Sequence, residues 1–377
     1  MARPEPIYLD YNATAPIRPE AVEAVARALQ IGANPSSVHA AGRKARALVE
    51  AARETVARFV GASAQSLVFT SGGTEANALA IQSAVAAGFK PLIVSAVEHE
   101  AVVETAKACG GFDPLPVDKH GVADLGWLEQ RLKAVEASRP FVALMLANNE
   151  TGVIQPVAEA AAMVRAANGW LHVDAVQAAG KIDIDFNALG ADSLALSAHK
   201  LGGPQGVGAL AWGERAVMSR VQHGGGQERG RRAGTENLSG IAGFAAAVEK
   251  SVDRSAIEAQ AAWRDAAAAR LAEAGASIAG EGAPRLPNTL CLAVADWPSE
   301  LQVIALDLAG VMVSAGAACS SGKVKPSRVL EAMSYGAAAA GALRASGGWA
   351  TTEADWIRFA DVWLEARQRH AARQSAA

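Results

Sequence analysis

One cysteine is set apart by its neighbours. Cys319 lies in Ser314-Ala315-Gly316-Ala317-Ala318-Cys319-Ser320-Ser321-Gly322-Lys323, a run with no bulky anchor. Lys323 and Lys325 are near enough in sequence to favour the thiolate, the nucleophilic form of a cysteine. The other two cysteines differ. Cys291, in Thr289-Leu290-Cys291-Leu292-Ala293, has the apolar surroundings of a packing residue, and Cys109, before Gly110, reads as packing at a helix end. A loop thiol that reaches a sulfur atom and withdraws again accounts best for Cys319.

Lys200 follows Ser197-Ala198-His199 at the end of an apolar run and precedes Leu201-Gly202-Gly203-Pro204. A solitary lysine at a strand end ordinarily extends to water. Here Ser197 and His199 would hold a phosphate while Lys200 forms a Schiff base, burial making its amine nucleophilic. Asp174 closes Trp170-Leu171-His172-Val173. It either caps the next helix or pairs with a protonated pyridine nitrogen, which keeps the ring an electron acceptor. Gln177, one turn onward, would then bond the ring hydroxyl. The 26 residues from Asp174 to Lys200 suit neighbouring strand ends gripping one pyridoxal ring.

Gly72-Gly73-Thr74-Glu75 suits either a plain strand–helix turn or an anion cradle, with Gly73 letting N–H groups approach and Thr74 adding a hydroxyl. His99 reads as a surface histidine or as a ring stacked on the cofactor that moves protons. The seven histidines are scattered without a metal-binding pair. Arg344 can form a bidentate pair with a substrate carboxylate. The basic stretch from Gln227 to Asn237 has no aromatic residue for stacking on bases and carries two glutamates, so it suits a phosphate, through Thr235, better than RNA.

These groups need a frame. Short apolar runs at Ser66–Thr70, Pro91–Ala96, Phe141–Ala147, Trp170–Asp174, Ser193–Ser197 and Val207–Trp212 read as strands, and helical patterns such as Arg43–Phe59 and Glu75–Ala87 alternate with them. Such alternation implies an α/β fold with a mainly parallel sheet, whose ligands sit beyond the C-terminal strand ends. Five polar clusters fall at those ends. After a loop over 214–240 and a helix over 251–274 the pattern changes: strands at Asn288–Val294 and Val311–Ser314, a helix near Glu300–Ala309, and a terminal helix from Glu353 that frays over Ala371–Ala377. This implies a second domain.

The chain has 377 residues, 51% hydrophobic and 19% charged, with net charge -3, which suggests no general nucleic-acid binder, and its longest apolar runs, such as Phe141 to Ala147, fall well short of the about 20 residues a membrane span needs. Three cysteines make no disulfide framework. The opening residues lack a signal peptide's apolar core, and the expectation is a cytoplasmic protein.

In order and combination the motifs resemble the cysteine desulfurases of the aminotransferase-like (fold type I) pyridoxal-phosphate group, in the branch with nitrogenase-linked and housekeeping iron–sulfur assembly enzymes. The likeness runs from Tyr8-Leu9-Asp10-Tyr11-Asn12-Ala13-Thr14 through Thr70-Ser71-Gly72-Gly73-Thr74-Glu75-Ala76-Asn77, Asn148-Asn149-Glu150-Thr151-Gly152, His172-Val173-Asp174-Ala175-Val176-Gln177 and Ser197-Ala198-His199-Lys200 to Arg232-Ala233-Gly234-Thr235-Glu236-Asn237 and the Cys319 loop. The resemblance implies pyridoxal 5'-phosphate carried on Lys200. Asp174 would pair with the ring nitrogen, Gln177 bond the ring hydroxyl, and His99 stack and share proton transfer with Lys200. Gly73, Thr74, Ser197 and His199 would hold the phosphate, and Thr235 would reach the partner subunit's phosphate across a homodimer interface. Asn149 and Arg344 would orient L-cysteine. Cys319 would take its sulfur as a persulfide, leaving alanine, and pass it to an acceptor or iron–sulfur scaffold protein. No metal is expected in the free enzyme, although the Cys319 persulfide could ligate an iron–sulfur unit transiently.

The implied fold is a large cofactor-binding domain over 14–250 with a mainly parallel seven-stranded sheet, and a smaller α+β domain from 1–13 and 251–377 carrying the Cys319 loop. Ala317, Gln205 and Ala15 depart from residues frequent in relatives (serine, lysine and threonine), none at a catalytic position. The alternatives are a selenocysteine lyase or another class-V aminotransferase-like enzyme, and a non-catalytic scaffold. An aminotransferase needs no thiol at Cys319. The sulfur acceptor, whether for nitrogenase clusters, general iron–sulfur proteins or thiolated tRNA, is not readable.

Overall fold

The computed structural model describes residues 5–316 and 326–375. Seven strands form the central sheet, in the order Leu67–Thr70, Gly208–Trp212, Ser193–Ser197, Trp170–Asp174, Phe141–Ala143, Leu92–Ser95 and Asp113–Leu115. Gly208–Trp212 runs antiparallel to both neighbours, and the other pairings are parallel. Successive residues of a strand face opposite sides, so a sheet covered on both faces needs apolar residues throughout. Leu171, Val173, Leu194 and Leu196 enter the core shared with the helices Ala40–Phe59, Val157–Ala166 and Leu238–Ser251. Trp170, Leu92 and Val94 turn to the other face, against the helices Gly73–Ala86 and Glu100–Ala108, and Ala195 and Leu210 pack there with Leu79 and Ala80.

A second sheet, antiparallel throughout, has the order Ser314–Ala315, Ala342–Ser346, Thr289–Ala293 and Ser277–Ile278. Leu290, Leu292 and Leu343 pack on the helices Gln260–Glu273 and Glu353–Ser375. The opposite face carries Cys291 and Ala342 against Val97 and Met145 of the central-sheet region. The N-terminal strand Ile7–Tyr8 pairs in parallel with Val311–Met312, which ties the two chain ends together.

Several elements differ from the sequence expectation. The helix placed over 251–274 is interrupted: Leu238–Ser251 ends, a short turn occupies Ser255–Glu258, and Gln260–Glu273 follows. Asp253 Oδ1 accepts from the Ser255 amide at 3.0 Å and its hydroxyl at 2.7 Å, a local bond that competes with helix continuation. The run Val311–Ser314 divides between two sheets. The helix Pro19–Leu29 and the edge strand Asp113–Leu115 were not anticipated. Pro114 conceals the latter, since proline fits a strand only at an edge. The terminal helix continues to Ser375, held where Gln374 Nε2 donates to the Asp296 carbonyl at 3.1 Å. No helix among the described residues is long and apolar enough to cross a membrane.

Candidate active site

The C-terminal ends of the central strands open into a cavity of about 820 Å³, within the usual range for small-molecule sites. Each approach to it has a local cause. The Trp170–Asp174 strand delivers Asp174, and the turn beyond it delivers Gln177. The Ser193–Ser197 strand ends in the single turn Ala198–Lys200, which presents Ser197, His199 and Lys200. The Phe141–Ala143 pairing is extended by the Leu144 amide on His172 O at 3.1 Å and the Leu146 amide on Asp174 O at 2.8 Å, and Asn149 follows at the rim. Gly73 and Thr74 open the helix Gly73–Ala86 at the wall, where helix N-termini attract anions. A Cβ on Gly73 would lie 2.7 Å from Val176 Cγ2, so only glycine allows this approach. The second sheet supplies Arg344.

Ten of the residues singled out in the sequence therefore border one space. Thr235 does not: it is exposed and lies outside the cavity. Its loop is anchored by Glu228, whose carboxylate takes Arg53 Nη1 at 2.7 Å and Nη2 at 2.9 Å. Cys319 lies outside the described residues.

Lys200 Nζ donates to the carbonyls of Asn12 at 2.8 Å and Ala13 at 2.7 Å. Burial, helped by the positive charge of Arg344, lowers its pKa to about 8. A usable fraction of neutral amine therefore exists near neutral pH. Asp174 is buried and accepts from Asn77 Nδ2 at 2.7 Å and the Val176 amide at 2.9 Å. Asn77 Oδ1 meets His172 Nε2 at 2.7 Å, His172 Nδ1 meets Ser193 Oγ at 2.8 Å, and Trp170 Nε1 donates to the same hydroxyl at 2.8 Å. These partners fit one direction only: indole N–H to hydroxyl, hydroxyl to Nδ1, Nε2–H to the Asn77 carbonyl, and the amide NH₂ to Asp174. Burial holds His172 near a pKa of about 3, so this ring is neutral, as the chain of donors requires.

His99 caps the helix Glu100–Ala108, its Nδ1 accepting from the Ala101 amide at 3.1 Å. The neutral ring then carries its proton on Nε2, the nitrogen left to act as a donor. His199 Nδ1 meets Thr14 Oγ1 at 3.0 Å, and burial lowers its pKa to about 4. Arg344 is buried, places Nη2 on Asp10 Oδ1 at 2.8 Å and Nη1 on the Asn149 carbonyl at 3.0 Å, and leaves Nε with no partner. Arg344 borders the cavity, and a guanidinium there fits an incoming carboxylate. Glu98 also borders the space, and burial, with Asp174 nearby, pushes its carboxyl well up.

A sequence profile of the class-V aminotransferases matches residues 7–359. The chain belongs to this family. Among curated relatives, a cysteine desulfurase of Cereibacter sphaeroides is 40% identical over 375 residues, spanning 95% of each chain. The cysteine desulfurase IscS of Dictyoglomus turgidum is 39% identical over 370 residues, 94% of this chain and 93% of its own. Among solved structures, a NifS-like protein of Rickettsia africae superposes with a TM-score of 0.88 at 30% identity, over 97% of this chain and all of its own. As a member of this family the chain is an enzyme, and its cofactor is pyridoxal 5'-phosphate. The residues present fit that cofactor: an amine of lowered pKa, a buried carboxylate for a ring nitrogen, and phosphate donors at a helix start.

Sequence reasoning gave no role to Asn12, Thr14, Asn77 or Lys181. Asn12, Thr14 and Asn77 stand inside the motifs that carry the resemblance, so a signal existed. The bonds of Thr14 to His199, of Asn77 to Asp174 and His172, and of Lys181 to Asn12 span 95 or more residues, and only the fold makes them.

Proposed function

We propose that this chain is a cysteine desulfurase that converts L-cysteine to L-alanine and carries the sulfur as a persulfide on Cys319. The convergence of Lys200, Asp174, Gln177 and Arg344 on one cavity supports the reading most strongly. Lys200 holds the cofactor, Asp174 its ring nitrogen and Gln177 its ring hydroxyl. His99 covers the ring, and Gly73, Thr74, Ser197 and His199 take the phosphate, joined by Thr235 from the partner of a homodimer. When bound, pyridoxal 5'-phosphate supplies an electron sink that makes the substrate's Cα–H acidic.

Arg344 and Asn149 orient the substrate carboxylate. The neutral Lys200 amine would take the Cα proton and return it as the ammonium, with His99 sharing in the proton transfer. The Cys319 thiolate attacks the substrate sulfur; the S–S bond forms as the C–S bond breaks, and the electron pair of that bond leaves with the carbon fragment, which becomes alanine after protonation. Sulfur then passes to an acceptor or iron–sulfur scaffold protein. The proposal includes a cytoplasmic setting, in line with the composition. It also includes the division into 14–250 and 1–13 with 251–377, supported by the separate sheets and cores.

The test supplies L-cysteine and a reductant and measures alanine and sulfide from wild type and Cys319→Ala. The variant is expected to keep the cofactor's visible colour and lose sulfide release. Equal sulfide from both would refute the role of Cys319, and a colourless wild type would refute the cofactor assignment.

A further inference from the structure

Lys181 is a second lysine beside the site, with no task in the reaction above. It is 4% exposed. Its Nζ donates to two side-chain oxygens, Asn12 Oδ1 and Gln177 Oε1, each at 2.7 Å. Both acceptors are amides, so the amine has no counter-ion among its hydrogen-bond partners. The charges felt there are those of Lys200 and Arg344, both positive, and with burial they hold its pKa well below the usual lysine value. Burying a lysine among polar groups costs desolvation that a methionine of similar length avoids. The residue is better explained by what it does to its neighbours.

The consequence falls on Gln177. An amide side chain has a donor end and an acceptor end, and its partners decide which faces where. Lys181 is donor-only toward Gln177, so it claims Oε1. The NH₂ end then turns to the Asn12 carbonyl, which Gln177 Nε2 reaches at 2.9 Å. Lys200 Nζ bonds that same carbonyl oxygen at 2.8 Å, so the NH₂ of Gln177 stands beside the amine that binds the cofactor. Its second N–H remains for the cavity, which Gln177 borders. Gly180, at φ 76°, reverses the chain immediately before Lys181, where a Cβ would press on Leu201 and Ser251 at 3.2 Å.

We propose that Lys181 is a positioning residue that fixes the Gln177 amide with its N–H donor, never its carbonyl, toward the cofactor's ring oxygen. The inference rests on the cofactor reading above. A donor on the ring oxygen stabilises its unprotonated form and weakens its hold on the proton it shares with the conjugated nitrogen. Losing the donor raises the pH at which the visible band titrates.

The experiment titrates purified holoenzyme over about pH 6 to 10 while its visible absorption is followed, in wild type, Lys181→Met, Gln177→Ala and the double variant. Each single variant is expected to raise the midpoint by about one unit, a tenfold change in proton affinity. The double variant is expected to move no further, because both substitutions remove one interaction. A merely structural lysine would lower the melting temperature and leave the midpoint in place. Lys181→Leu, which likewise carries no donor, is read the same way should the methionine variant not fold. An unshifted midpoint in Gln177→Ala, an unshifted midpoint in the Lys181 variants, or additive shifts in the double variant would each overturn the proposal. A wild type with no visible band would instead defeat the cofactor reading beneath it.

Discussion

His172 offers a measurable cost for the wiring behind Asp174. The perturbation is acid, compared in wild type and His172→Gln. Burial holds the ring's pKa at about 3 in the fold, against 6.5 when unburied. Because the folded value is depressed, protons bind the unfolded chain more readily below 6.5. The stability is present above that pH and is lost as pH falls toward 3. Each full unit within this window costs about 1.4 kcal/mol, so descent from about pH 7 to 5 removes about 2 kcal/mol through this one ring. Glutamine can donate to Asn77 and accept from Ser193 without titrating. Urea unfolding of both holoenzymes at the two pH values, at one protein and cofactor concentration, isolates the term as a difference of differences. Wild type should lose about 2 kcal/mol more than the variant. Equal losses would show that His172 is not held neutral, and the donor direction from Trp170 to Asp174 would fall with it.

Other substitutions probe separate parts of the site. Arg344→Lys, which loses the fork geometry, should raise KM for L-cysteine by roughly 10–100-fold with a smaller change in kcat, checked by steady-state kinetics. Lys200→Ala should lose the visible band and at least ~10²-fold in alanine formation, checked by absorbance and product assay. Glu228→Ala leaves Arg53, which is 3% exposed, with only the more exposed Glu50 carboxylate at 3.3 Å, and should cost up to about 3 kcal/mol in chemical denaturation. Burial raises Glu150 from 4.5 to about 7. Its contribution is therefore fully present below 4.5 and lost as pH rises through 7, so Glu150→Gln should gain on wild type by about 2 kcal/mol between pH 5 and 8 in the same denaturation assay.

The alternation of short apolar strands with helices made the central sheet legible, and with it the edge where polar clusters gather. Asp174, Gln177, His199 and Lys200 could be placed because each follows directly on a strand. Pro114 and the local bonds of Asp253 hid an edge strand and a helix break, since one sequence position can serve a turn or an element depending on its neighbours in space. The supporting residues were less accessible still. Nothing in the sequence around Lys181 says that it meets Asn12, 169 positions earlier, or that Asn77 stands between Asp174 and His172. Burial lowers the pKa of an ordinary lysine or histidine, and burial is a property of the fold.

The pairing of Asp10 with Arg344, 334 positions apart, has a consequence for biosynthesis. The backbone around Asp10 is gripped by Ser346, which donates its amide to the Leu9 carbonyl at 2.7 Å and accepts the Asn12 amide on its hydroxyl at 3.0 Å. A ribosome must therefore add more than 330 residues after Asp10 before that segment finds its place. At about 5–20 residues per second, those residues wait tens of seconds for their partners. A nascent chain stalled short of Ser346 would have its central sheet but an unfinished wall, so the site is completed only once Ser346 has been made.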